Sequence, residues 1–489
     1  MMKLSKIIDV VACKLHNYAD FDIADVTFDS RSVGSGSMFV AQRGVHVDGH
    51  KYISQAIDKG AVAVVCEELP ETLDKDVVYV QVADSGAALG QIASNYYDRP
   101  SAKIKLIGVT GTNGKTTTVT LLHRMFRLMG HHVGLISTIV NKIDECEIPT
   151  THTTPDALEL NRLLSKMAKQ GCDFCFMEVS SHSVVQNRVA GLEFYGGVFS
   201  NITHDHLDFH KTMKAYIEAK KGFFDMLPSG AFALVNKDDR NGMVMVQNTK
   251  ARVSTYSLMG QADFKCKILE NSFQGLHLEI NGQEVWTRLV GRFNAYNMTA
   301  IYGVAVLCGV ERMEALRLIS TLEAAEGRFE YVTGNGIVGI VDYAHTPDAL
   351  ENVLDTINAI RARGQRLVTV VGCGGDRDKT KRPEMAQIGV RKSDILILTS
   401  DNPRTEKPEA ILDDMFAGLS DEERRQTLRI TDRRQAIQTA CLTAHEGDIV
   451  LVAGKGHEKY QEVNGVRSHF DDKEELHRFL EKPAENIKN

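Results

Sequence analysis

The run Gly111-Thr112-Asn113-Gly114-Lys115-Thr116-Thr117 brings together the residue types that bind a chain of phosphates. Glycines let the backbone curl so that successive N–H groups point at one anion. A lysine adds charge near the terminal phosphates, and a hydroxyl directly after it can reach Mg²⁺. Val109 stands where the first glycine of G-x-x-x-x-G-K-T would fall, so the loop departs from the commonest form. A glycine-lysine-threonine string can also occur in a surface turn. Here an apolar run at 104–109 precedes it and a helix-like segment at 118–129 follows, the strand, loop and helix order that a phosphate loop needs. ATP-type nucleotide binding with Mg²⁺ is therefore expected.

Other chemistry-bearing residues are less decisive one at a time. Met177-Glu178-Val179-Ser180-Ser181-His182 closes an apolar strand, and a carboxylate there is placed to hold Mg²⁺. Asn201-Ile202-Thr203-His204-Asp205-His206-Leu207-Asp208 also follows a strand; taken alone, its histidines read more readily as hydrogen-bonded structure than as a metal site. Glu218-Ala219-Lys220-Lys221 reads on composition as a helix with a solvated lysine pair. The glycine-rich turn 372–377 follows a strand end, where α/β sheets bind ligands, but as a motif it is weak. Cys172 and Cys175 lie in an apolar run with no second pair, so buried strand cysteines are expected rather than zinc or redox chemistry.

These residues must be positioned by several domains, because 489 residues exceed what one core usually serves. Segment 1–99 carries short strands near 26–28, 38–41, 61–66 and 77–82, and a helix ending near Tyr97; its first residues suggest an amphipathic helix. Tyr97-Asp98-Arg99-Pro100-Ser101 reads as a linker. Segment 100–331 opens with the phosphate loop and alternates strands (134–137, 174–179, 197–201, 231–236) with helices (157–170, 213–226), predicting a doubly wound, mainly parallel sheet. Residues 252–289 suggest an antiparallel extension, and helices are expected at 297–308 and 313–322. Segment 332–489 repeats the α/β pattern with strands at 339–342, 366–371, 395–399 and 449–453, so a Rossmann-like C-terminal domain is expected. The charged tail after Glu481 reads as a solvated end.

Composition excludes several classes. With 57 basic and 64 acidic residues the net charge is −7, which gives no general nucleic-acid surface. No apolar run approaches the length of a membrane span. Nine scattered cysteines without a framework fit a reducing cytoplasm.

The order T-G-T-N-G-K-T, M-E-V-S-S-H, D-H-L-D, E-A-K resembles the Mur ligase family of ATP-dependent, amide-forming enzymes. Gly291-Arg292-Phe293-Asn294, Gly327-Arg328-Phe329-Glu330 and Val341-Asp342-Tyr343-Ala344-His345 extend the likeness, which runs from Asp29-Ser30-Arg31 to Gly454-Lys455-Gly456-His457-Glu458. It implies three domains that bind, in chain order, the uridine end of UDP-MurNAc, ATP, and an amino acid. The branch it most resembles adds the third residue of the peptidoglycan stem peptide to UDP-MurNAc-L-Ala-D-Glu, through an acyl phosphate. Asp401-Asn402-Pro403-Arg404 resembles the form found where that residue is meso-diaminopimelate rather than lysine. A bidentate arginine suits the extra distal carboxylate and repels lysine's lone ammonium.

The resemblance also implies roles by position. Gly111 to Thr117, Asn294, Arg328, Asp342 and His345 would contact ATP; Ser30, Thr153, Thr154, Ser180, Gln186 and Arg188 the UDP-MurNAc-dipeptide. Arg377, Asp401, Asn402, Pro403, Arg404, Gly454 and Glu458 would contact diaminopimelate. Thr116, Glu178, His206 and Lys220 would serve Mg²⁺, Lys220 as an N6-carboxylysine (carbamate), because an ammonium beside two cations would be repelled. With Lys115, the last three would form the catalytic set. A cytoplasmic monomer is expected. A lysine-adding ligase, a folylpolyglutamate synthetase and a P-loop switch or scaffold protein are the alternatives, the last having no need of the D-N-P-R and G-K-G-H-E motifs. Asp342 and His345 are both candidates for deprotonating the amine.

Overall fold

The structure is a computed structural model that describes every residue except 45–46, 151 and 482–489. The expected solvated tail lies outside the described residues. Three larger sheets divide the chain, each sandwiched by helices. The first, built from strands between Cys13 and Val82, pairs parallel throughout except at Cys13–His16 on its edge. The predicted amphipathic first helix shrinks to Leu4–Ile7. Leu4 and Ile7 are buried, but Val10 takes a positive φ and the chain turns into an edge strand. Apolar residues at 4, 7 and 8, spaced i, i+3, i+4, suited a helix face, yet the pairing of Cys13–His16 with Val78–Val82 wins.

The central sheet has eleven strands among the described residues. Val133–Ile136, Phe174–Glu178, Lys105–Thr110, Gly196–Phe199, Phe232–Asn236, Arg252–Ser257 and the start of Phe264–Ser272 lie parallel in that spatial order. Helices Lys115–Leu128 and Arg292–Leu307 pack on one face, burying Phe126, Met298 and Ile301 against Phe176 and Leu234. Ala157–Lys169 and Met213–Asp225 close the other face with Leu164, Phe223 and Phe224. The antiparallel extension expected over 252–289 begins only at Phe264–Ser272, which pairs with Gly275–Ile280 and that with Gln283–Thr287; Arg252–Ser257 instead lies parallel to Phe232–Asn236 and continues the main sheet. A hairpin at the opposite edge, Asn141–Ile143 with Cys146–Ile148, had no clear sequence signal because it is short and polar. The helix expected from 297 starts at Arg292, so the Gly291-Arg292-Phe293-Asn294 motif forms its first turn.

The third sheet runs Glu330–Gly334, Ile337–Asp342, Ile449–Ala453, Leu367–Val371, Ile395–Leu398, Thr427–Arg429, parallel except for the first strand. Its strands end at Asp342, Val371, Leu398 and Ala453, which places the D-Y-A-H, G-G-D-R, D-N-P-R and G-K-G-H-E segments at one rim. Cys172 and Cys175 are buried as expected, and all nine cysteines are free.

Candidate active site

The phosphate loop hangs between Lys105–Thr110 and Lys115–Leu128. Val109 is no defect. It is a fully buried residue of the central strand, in register with Glu178 on one side and Val198 on the other. The curl begins later, at Gly111, and ends at Gly114, whose φ of +86° caps the helix. A Cβ at Gly114 would lie 2.6 Å from Asn297 Oδ1, so both conformation and space demand glycine. Lys115 Nζ donates to the carbonyls of Gly111 and Thr112 at 2.9 and 2.8 Å. Burial and nearby Arg328 push its ammonium below the usual lysine range, against the pull of Glu178 and Asp205.

The register of Val109 with Glu178 explains the next contact. Glu178 is fully buried; its Oε1 accepts from Thr116 Oγ1 at 2.9 Å and from the Thr138 amide at 2.8 Å. Its Oε2 is buried with no hydrogen-bond partner. A buried, half-satisfied carboxylate is costly unless a cation completes it, so this donor set fits a divalent ion. Among the described residues no three His, Cys, Asp or Glu side chains cluster as a metal site; the remaining ligands must come from Thr116, phosphate oxygens and water, or from a modified side chain.

Lys220 departs from the solvated reading. It is 1% exposed, donates to the Gly111 carbonyl at 2.7 Å and lies 4.6 Å from the Tyr216 ring centre. Burial, then Lys115, drive its pKa well below the usual lysine range, which favours the neutral amine. A neutral amine is the form that adds to CO₂. Lys221, by contrast, pairs with Asp225 on the outer face of the helix. His206 takes a left-handed backbone conformation, its ring near His182 and Tyr216 and its Nε2 3.3 Å from Asp205. Burial lowers its pKa, leaving a neutral imidazole able to ligate.

Beside Glu178, five of the six residues expected to serve the UDP-linked substrate converge. Thr154 Oγ1 donates to the Glu178 carbonyl at 2.8 Å, and Thr138 Oγ1 donates to Thr153 Oγ1 at 3.1 Å. Ser180 caps the helix Ser181–Val185, while Arg188 donates to the Thr154 carbonyl and to Gln186. Ser30 stands apart, bonded to Gln55 within the N-terminal sheet unit. That unit reaches the central one through Asn187, which donates to Asp84 at 3.1 Å.

The C-terminal rim meets the loop from the other side. Arg328 stacks 4.5 Å from the Tyr343 ring centre and donates to Thr116 Oγ1 at 3.2 Å; its Nε is buried and unpartnered. Asn113 Nδ2 donates to Asp348 at 2.7 Å. Asp342 accepts from the Phe329 amide, and burial raises its pKa to about 6. His345 donates through Nδ1 to the Tyr343 carbonyl in the tautomer that leaves Nε2 free, and burial with Lys381 lowers its pKa to about 4. Asn294 is 3% exposed and its amide is engaged by Val290 and Asn297, inside the helix start rather than at an open surface.

The amino-acid segments form their own network. Arg404 Nη1 donates to the Gly375 carbonyl at 2.7 Å, and an added Cβ at Gly374 would lie 2.9 Å from Arg404 Nη1 and 3.9 Å from the Arg377 Cγ, so both arginines border one turn. Arg377 is exposed; Asp401, Asn402 and Pro403 are buried. Asn402 donates to Glu458 at 2.7 Å. Gly454, at φ +119°, lets Asp401 Oδ2 approach to 2.5 Å of where a Cβ would stand. Sequence reasoning did not single out Asp205, Lys455 or Arg433. Asp205 sits among His206, His345, Lys381 and Lys115, which hold its carboxylate low despite burial. Its place inside D-H-L-D was the available signal.

Family models match in three consecutive blocks: the Mur ligase family catalytic domain over 22–97, the Mur ligase middle domain over 109–305, and the Mur ligase glutamate ligase domain over 327–456. The chain belongs to the Mur ligase family. A curated relative from Cytophaga hutchinsonii, UDP-N-acetylmuramoyl-L-alanyl-D-glutamate–2,6-diaminopimelate ligase, is 57% identical over 93% of this chain and 94% of its own. A solved structure of the same name is 33% identical, covers 98% of both chains and superposes with a TM-score of 0.69. A folylpolyglutamate synthase from Thermotoga maritima shares the fold at 15% identity, but over 76% of this chain (TM-score 0.59).

Proposed function

We propose that the protein is an ATP-dependent ligase joining meso-diaminopimelate to UDP-MurNAc-L-Ala-D-Glu, giving the UDP-MurNAc-tripeptide, ADP and phosphate. In this reading segment 1–99 binds the uridine end, 100–331 binds ATP, and 332–489 binds the amino acid. The observation that carries it is the convergence on Glu178 of the phosphate loop, through Thr116, and of the substrate positions Thr153, Thr154 and Ser180. A carboxylate delivered there lies beside the γ-phosphate site.

The D-glutamyl γ-carboxylate attacks the γ-phosphorus of ATP, forming an acyl phosphate and releasing ADP. Lys115 and Arg328 face the phosphates and offset the repulsion between the two anions. Mg²⁺, held by Thr116, Glu178, His206 and a carbamate on Lys220, would supply further charge neutralisation. The amine of diaminopimelate, oriented by Arg404, Arg377 and Glu458, then attacks the acyl carbon and phosphate leaves. Asp342, whose carboxyl pKa is raised to about 6, and His345, lowered to about 4, both stand near the phosphate loop as candidates for transient proton uptake. The contacts of Asn113 with Asp348 and of Arg328 with Tyr343 join the two segments and would help keep water from the acyl phosphate. The enzyme works as a cytoplasmic monomer on these small molecules.

The test is product mass after incubation with ATP, UDP-MurNAc-L-Ala-D-Glu and either diaminopimelate or lysine. Product with diaminopimelate alone is expected. Product with lysine alone moves the assignment to the lysine-adding branch, and turnover of folate without either would replace it.

A further inference from the structure

One cation under the amino-acid loops has no part in the chemistry above. Lys455, in the loop after Ile449–Ala453, is fully buried. Its Nζ donates to Asn402 Oδ1 at 3.1 Å, stands 3.5 Å from Glu458 Oε2 and 3.9 Å from Asp401 Oδ1, and lies 5.4 Å from the Tyr460 ring centre. Lysine is rarely buried unless paired, and its desolvation is a standing cost.

Tying the two loops together does not account for that cost, because another group already does it. Arg433, also fully buried, is held by Asp472 through two 2.7 Å bonds. It donates to the Ser400 and Ala453 carbonyls, the residues directly before the D-N-P-R and G-K-G-H-E motifs. Lys455 acts on side chains instead. With the Glu462 amide it consumes both acceptor positions of Asn402 Oδ1, which forces the Asn402 NH₂ toward Glu458. Glu458 Oε2 is thereby occupied, and Oε1 is left for a ligand.

We infer that Lys455 is a positioning residue for the incoming diamino acid: it fixes the Asn402 amide and keeps the Glu458 carboxylate oriented and anionic to receive the distal ammonium. This rests on the amino-acid site proposed above. The groups around Glu458 agree. Burial and Asp401 push its carboxyl up, while Lys455, the Asn402 hydrogen bond and Arg404 pull it down; Tyr343, Tyr460 and the deeper Arg433 complete its surroundings. Removing the Lys455 ammonium leaves two buried carboxylates side by side, so Glu458 takes a proton at higher pH and loses its charge for the ammonium.

The experiment is steady-state kinetics of Lys455→Met, Lys455→Gln and Lys455→Arg beside the wild type, varying each substrate in turn across pH. For Met and Gln the KM for meso-diaminopimelate should rise about tenfold or more, as for loss of a charged hydrogen bond. The KM values for ATP and the UDP-linked substrate should stay within about twofold. The acid limb of kcat/KM for diaminopimelate should move to higher pH in both, and stay at the wild-type position in Lys455→Arg. If Lys455→Met does not fold, Lys455→Gln, which keeps a donor to Asn402, carries the test. A common rise in all three KM values, or an unmoved acid limb, would overturn the inference and leave Lys455 a purely structural cation. A wild type that ligates no diaminopimelate would instead count against the amino-acid site itself.

Discussion

The phosphate-loop region and the amino-acid loops are both buried and charged, but they are finished to different degrees. Around the loop, Glu178 Oε2, Arg328 Nε, Thr110 Oγ1 and Thr203 Oγ1 are buried without partners, and Lys115 and Lys220 share a single carbonyl, that of Gly111. Around Asn402, the side chains of Asn402, Lys455 and Arg433 are hydrogen-bonded within the protein, and the buried atoms without partners are His457 Nδ1 and Arg382 Nε. The first region leaves more buried polar atoms to be completed, as the proposed site for a polyanion and its cations requires. The second is closer to preorganised, as the proposed amino-acid site would need to be.

The two regions should differ most at Lys220. Lys220→Ala should lower kcat by about 10²–10³-fold, the scale for losing one electrostatic stabiliser. Added short carboxylates should restore part of the rate, and full activity without them would exclude a carbamate. Arg433→Met tests the finished region. It strands Asp472 in the core, so a loss of about 3–5 kcal/mol is expected, read as a lowered thermal midpoint. An unchanged midpoint would mean the network is not rigid.

Acid should separate the two regions without mutation. His210 and His345, pushed down to about 4, are held neutral around the loop. Their folded pKa values lie below the unfolded value, so the unfolded chain binds more protons below pH ~6.5 and stability falls as pH drops from there toward 4. Hydrogen exchange at pH 5 against pH 7.5, corrected for intrinsic rates, should show the segments 201–212 and 343–348 losing protection before 398–403 does. The smallest effect is expected at Asn113→Ala, which removes the bond to Asp348. The KM for ATP should rise about three- to tenfold with kcat little changed; an unchanged KM would mean that this bridge is incidental.

The phosphate loop, the alternating strands and helices and the order of motifs were legible because each is a local pattern: a glycine curl, a period of two or 3.6, a strand end. Short edge elements were not. The hairpin at Asn141–Ile148 and the four-residue helix at Leu4–Ile7 owe their form to neighbours rather than to their own periodicity. The same holds for side-chain state. Lys220 and Lys221 are adjacent and identical in type, and composition read both as solvated. One is 1% exposed with a depressed pKa and the other, partly covered, pairs with Asp225 one turn on, because a helix turns 100° per residue and only the fold says which face is inward. So the chain by itself determined the family, the order of its three family blocks and the strand, loop and helix at 105–128. Tertiary structure decided which lysines are buried and have their pKa lowered, which carboxylate is left half-satisfied, and that Lys455 and Arg433 lie beneath the loops at 401–404 and 454–458, since burial and pairing depend on residues far apart in sequence.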